Sequence, residues 1–192
     1  MALYSRAVTL GDDLDRIAGL AAAQGDPGDR VAAVLPTESE PGQRVYLCAF
    51  DGADGFRSWL ALDATGSPVT RRTELRAAVS IAALCEVAAD AAGGGDLDEL
   101  VARLEELRER ESPEEIAAAI EAARALREVL GEPPQLASPA RLDEIGAATR
   151  RLEQALDPVG GSPLATTLQT SQASVSELQR EIEAGYRVPL DQ

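Results

Sequence analysis

The chain has no histidine, no lysine and no asparagine, and all 18 of its basic residues are arginine. Without imidazole there is no ordinary side chain that changes charge near neutral pH, no histidine base and no histidine metal ligand. Without lysine there is no amine for Schiff-base chemistry. Aromatic residues make up only 3% of the chain, so its core must be assembled mainly from Ala, Leu, Val and Ile. Cysteine is limited to Cys48 and Cys85, too few in 192 residues for a disulfide framework. Long hydrophobic runs are absent too. The longest largely apolar stretch, Ala77 to Cys85, stops at Glu86 and is far too short to span a bilayer. The opening residues "MALYSRAVTLGDDLD" lack the apolar run and cleavage site of a signal peptide, so the expected compartment is the cytoplasm.

What is present is apolar and acidic. Apolar residues reach 45%, enough for a folded core in a chain of this length. The net charge of -15 repels nucleic acid and anionic lipid, so neither is an expected partner; it favours solubility and a basic protein partner.

Thr9 to Gly25 reads as a first helix, with Asp12 and Asp13 complementing the dipole in its opening turn and Leu14, Ile17, Ala18 and Ala21 at helical spacing. Three strands follow at Arg30–Leu35, Val45–Phe50 and Phe56–Leu62, separated by "PTESEPGQ" and "DGADG", both read as turns. Short connections favour an antiparallel meander. The middle strand is apolar on both faces, as in a strand covered from both sides. A second helix is expected from Thr70 to Ala92, with Leu75, Val79, Ala82 and Cys85 along one stripe.

The triple glycine at 93–95 marks a boundary, and beyond it the pattern is helical. Leu97, Leu100, Leu104 and Leu107 are spaced as a heptad seam. Ser112-Pro113 and Ser138-Pro139 are helix-start signals, followed by stripes at Ile116, Ile120, Ala123 and Leu130 and at Leu142, Ile145, Leu152 and Leu156. The expected fold class is α+β: an N-terminal helix, a three-stranded antiparallel meander and a long packing helix, followed by an all-helical C-terminal half. The expected divisions are 1–94 (α+β), 95–157 (helical) and 158–192, a polar linker with a short last helix at Val175, Leu178 and Ile182.

Several groups of residues suggest chemistry. Asp51, Asp54 and Asp63 are carboxylates on or near the "DGADG" hairpin, where Ca²⁺ or Mg²⁺ would find oxygen ligands; Asp and Gly are equally the residues a hairpin loop prefers. "EELRE", Glu105 to Glu109, has the EExxE form of all-α nucleotide pyrophosphohydrolases resembling MazG, whose helix face gathers carboxylates for Mg²⁺. The family's second motif, ExxD, has no counterpart at a suitable distance, and the stretch reads as a solvated acidic face. Cys48, mid-strand between apolar neighbours and with no base beside it, reads as core. Arg71, Arg72 and Arg76 open the second helix and suit an anion or surface carboxylates.

The order helix, three strands, long helix, together with the acidic charge, is similar to the fold of type III secretion chaperones and YbjN-like proteins. The resemblance covers the N-terminal half and implies dimerisation and binding of a partner polypeptide. The expected function is therefore a non-catalytic protein-interaction module, chaperone-like or scaffolding, self-associating through the amphipathic helices. Its candidate contacts are Tyr46, Phe50, Phe56 and Trp59 on the hairpin and Leu100, Leu104, Leu107, Ile116 and Ile120 on the helices. The hairpin aromatics read as core first and binding surface second. No cofactor or metal is expected for this module. The alternatives are a Mg²⁺-dependent carboxylate enzyme and a small-ligand sensor with a pocket between sheet and helices.

Overall fold

The computed structural model describes residues 10–53, 55–92, 97–108, 113–131, 135–159, 176 and 179–191. The elements in chain order are α1 (Leu10–Ala22), β1 (Arg30–Glu40), β2 (Gln43–Asp51), β3 (Arg57–Asp63), α2 (Arg72–Ala91), α3 (Leu97–Arg108), α4 (Pro113–Leu130), α5 (Pro139–Leu156) and a short 3₁₀ turn at Asp157–Val159. The sheet is an antiparallel meander in the order β1-β2-β3. The α+β class and the order of its elements are those read from the sequence.

The central position of β2 explains its unbroken apolar run, since every residue from Val45 to Phe50 is buried. One face of the sheet carries Tyr46, Cys48, Phe50, Leu60 and Leu62, and α1 closes it with Ile17 and Ala21. The other face carries Val45, Leu47, Ala49, Trp59 and Ala61, packed against Leu75, Ala78, Val79, Ala82 and Cys85 of α2. Cys48 and Cys85 therefore belong to cores on opposite sides of the sheet, and both are free thiols.

β1 is longer than the sequence pattern suggests. It runs through "PTESE" to Glu40, and the turn is reduced to Pro41 and Gly42, with Gly42 at φ +82°, a conformation glycine adopts without a Cβ clash. Pro36 is tolerated because its backbone faces outward, away from the ladder with β2: its carbonyl accepts from the Ala137 N–H at 3.0 Å. Thr37, fully buried, donates its hydroxyl to the Val45 carbonyl at 2.8 Å. A register shift between Val31 and Ala33 leaves Ala32 with no partner on β2, a bulge near the start of an edge strand. β3 starts at Arg57 instead of Phe56.

The later helices bury their stripes against one another. Leu97 and Leu104 of α3, Ile116, Ala119, Ile120, Ala123 and Leu126 of α4, and Ile145, Ala148, Leu152 and Leu156 of α5 form one apolar cluster. The Ser138 side chain accepts from the Arg141 N–H at 3.2 Å with Pro139 at the first helical position, the start signal read from the sequence. Ser112 lies outside the described residues. The helical half is joined to the sheet where Ala137 pairs with β1: the Glu38 N–H donates to the Ala137 carbonyl at 2.8 Å. Nearby, the Cys85 thiol points at the Ser138 carbonyl, 3.6 Å away. Residues 179–191 lie on the N-terminal body: 179–184 are helical, with Ile182 buried, and 185–191 continue through a turn at Gly185 and bends at Arg187 and Val188, bridging to β3 at Trp59. Among the described residues, no helix is long and apolar enough to cross a membrane.

Candidate interaction surface

The hairpin aromatics divide by register. Ala49 pairs with Trp59 and Phe50 with Ser58, which sends Trp59 to the face opposite Tyr46 and Phe50. Tyr46, Phe50 and Trp59 are all buried by the chain's own helices. Phe56, in the turn before β3, is 76% exposed. The helical candidates divide as well: Leu104, Ile116 and Ile120 are buried in the shared cluster, Leu100 is half-buried and Leu107 is 42% exposed. The reason is common to both groups. Faces that are apolar in sequence find partners within this chain, so most of these positions are interior. Of the nine positions, Phe56 and Leu107 are exposed and Leu100 is partly so.

The acidic candidates do not converge. Asp51 pairs in register with Arg57, at one end of β3, and Asp63 with Val45 at the other, so the two carboxylates sit at opposite ends of the sheet. Asp51 binds Arg57 at 3.1 Å. The Asp63 carboxylate accepts from the Thr65 hydroxyl at 2.6 Å and from the Thr65 and Ser67 N–H groups at 2.8 and 3.0 Å. Burial works against the charge on Asp63, but these hydrogen bonds outweigh it and hold the carboxyl below its usual range. Asp54 and Glu109 lie outside the described residues. Glu105 pairs with Arg124 of α4 at 2.7 Å. Among the described residues, no group of three or more His, Cys, Asp or Glu is placed to hold a metal ion.

The remaining candidates are structural in their contacts. Arg76 forms a two-pronged pair with Glu183, at 2.5 and 3.2 Å, and the Arg71 backbone bridges to Asp191. Burial pushes the Cys48 thiol up to about 12, which keeps it protonated and unreactive at neutral pH. Burial likewise raises Cys85.

The sheet's two outer edges are treated differently. At β3, the Trp59 N–H donates to the Gly185 carbonyl at 2.9 Å and the Arg187 N–H donates to the Trp59 carbonyl at 3.0 Å, so the C-terminal segment covers that edge. At β1, Ala137 covers Pro36 to Glu38. Among the described residues, no backbone hydrogen bond reaches the outer side of Arg30 to Leu35. Because the Pro36 carbonyl and the Glu38 N–H point outward, the two-residue period aims the N–H and C=O of Val34 outward too. The same stretch has exposed Ala32 and Ala33, half-buried Val31 and Val34, and Leu35 at 37% exposure. Its only formal charge is Arg30, beside Asp51 at 3.6 Å. The meander order read from the sequence already put this strand at an edge; what sequence reasoning missed is that the edge stays uncovered, for which the signal was the uncharged run "VAAVL" with no residue that blocks edge pairing.

Comparison of the chain with protein-family models, with curated proteins and with solved structures gives no significant match.

Proposed function

We propose that this chain is a non-catalytic protein-interaction module that receives an extended partner segment along the outer edge of β1, between Arg30 and Leu35. The observation that carries the reading is the uncovered apolar stretch of the β1 edge, where the rest of that edge and the β3 edge carry backbone hydrogen bonds from other segments. An edge strand offers unmade backbone hydrogen bonds to a strand from another molecule, and alternate side-chain positions supply selectivity. Leu35 and the half-buried Val31 and Val34 give such a partner apolar contacts. The net charge of -15 favours a segment that alternates apolar and basic residues. This moves the binding surface from the helical stripes, which are packed inside, to the sheet.

The test is binding of synthetic extended peptides with alternating apolar and arginine positions, followed by fluorescence anisotropy. Wild type is expected to bind them saturably. Val34→Pro, which removes the outward N–H, is expected to lose at least tenfold in affinity while keeping its circular dichroism spectrum. No binding by wild type, or equal binding by the folded variant, overturns the reading.

A further inference from the structure

The C-terminal segment sits on the N-terminal body as a peptide ligand sits on a receptor. Its backbone pairs with Trp59 of β3, and the Asp191 N–H donates to the Thr70 carbonyl at 2.8 Å. Tyr186 enters a slot where its hydroxyl donates to the Val69 carbonyl at 2.7 Å and accepts from the Ala61 N–H at 3.1 Å. The Arg187 guanidinium lies 4.3 Å from the centre of the Phe50 ring, donates to the Ser58 hydroxyl at 2.8 Å and pairs with Asp26 and Asp29. Glu183 meets Arg76, and the Gln179 amide donates to the Ser80 hydroxyl at 2.7 Å. The segment lies close on β3 at Gly185, where a Cβ would come within 3.2 Å of the Arg57 carbonyl oxygen. The body's socket is acidic where the segment is basic and basic where it is acidic. All of these partners fall between Asp26 and Ser80, roughly 100 to 160 positions away in sequence.

We propose that this strap is exchangeable, and that two copies of the chain associate by each seating residues 179–191 on the outer edge of the other's β3. Exchange of identical elements reproduces every contact the strap makes in the closed monomer, so its balance is set by concentration against the tether and not by new chemistry. Residues 160–178 connect the 3₁₀ turn after α5 to the strap, and a chain of about 19 residues can span at most tens of ångströms. The matched charges fix which segment fits: an acidic residue two positions before a glycine, then a tyrosine and an arginine. This association uses β3 and is independent of partner binding at β1, so either can fail without the other.

The experiment uses two full-length chains with complementary reversals. One carries Glu183→Arg and Arg187→Asp in the strap; the other carries Arg76→Glu and Asp29→Arg in the socket. Within either chain both pairs are like-charged, whereas exchange between the two restores all four. Light scattering on the equimolar mixture is expected to give twice the 20.1 kDa chain mass, with each chain alone at or near that single mass. A mixture of folded chains that stays at the single mass overturns the proposal. If either chain fails to fold in the mixture, wild type decides: refolded from urea at roughly millimolar concentration, where a second copy competes with the tethered strap, it is expected to give a dimer that persists on dilution. Fully monomeric refolded protein overturns the proposal.

Discussion

The Arg187 guanidinium stacks over the Phe50 ring at 4.3 Å from its centre, tying the C-terminal strap to the middle strand of the sheet. The same side chain is only 16% exposed and holds Asp29 and Asp26 of the loop between α1 and β1. One arginine thus joins the C-terminal segment, the sheet and the first loop, each through a different kind of contact: cation–π, ion pair and hydrogen bond. Arg187→Ala is expected to speed hydrogen exchange at the Trp59 and Arg187 amides at least tenfold while leaving the amides of α4 and α5 unchanged. Equal protection in both proteins would show that the strap is held without it.

Tyr186 contributes chiefly through its hydroxyl, which burial pushes up to about 12 against the lowering effect of the hydrogen bond from the Ala61 N–H. Tyr186→Phe keeps the ring but leaves the Ala61 N–H and Val69 carbonyl short of a partner. A loss of about 1–2 kcal/mol in urea unfolding is expected, with no change in the slope of the transition. Since Trp59 is the single tryptophan and lies against Gly185, its fluorescence reports strap release directly.

Acid should loosen the strap before it unfolds the helices. The hydrogen bond from Arg187 holds Asp29 below its usual value of 3.8, and Arg76 holds Glu183 below its usual value of 4.5. A carboxyl whose folded pKa is depressed stabilises the fold above its unfolded pKa, and that contribution is lost as pH falls through the folded value. Trp59 emission is therefore expected to be constant from pH 7 to about 5 and to shift on descent below about pH 4.5. Glu183→Gln should flatten part of that dependence; an unchanged acid profile in the variant would remove Glu183 from the cause.

In the helical cluster, Leu126 is fully buried while Leu107 is 42% exposed. Leu126→Ala is expected to cost about 2–5 kcal/mol through lost burial and a cavity. Leu107→Ala is expected to fall within about 0.5 kcal/mol of wild type. Comparable losses at both positions would mean that Leu107 is covered in solution by something beyond the described residues.

Both thiols are expected to resist alkylation in the native protein at pH 8, because Cys48 is held near 12 and both cysteines are buried. Labelling should follow global unfolding in urea, and no Cys48–Cys85 bridge should form under oxidation, as the sheet separates them. Rapid native labelling of Cys48 would contradict the packing of α1.

The sequence alone determined the element types and their order. Apolar spacing at Leu75, Val79 and Ala82 is decisive for a helix, the Ser138-Pro139 pair marks a start, and the doubly apolar run Val45 to Phe50 requires a strand with cover on both sides. These signals are local, arising within one or two turns or one pleat. What only the tertiary structure decided is which apolar faces meet. Trp59 parted from Phe50 because β2 and β3 pair Ala49 with Trp59, and one residue of slip would have reversed it. Leu97 and Leu104 of the leucine seam packed against α4 and α5, and the segment after residue 178 seated on a sheet edge more than 100 residues earlier in the chain. Such pairings depend on loop reach, register and charge matching between distant positions, and periodicity within a single element carries no record of them.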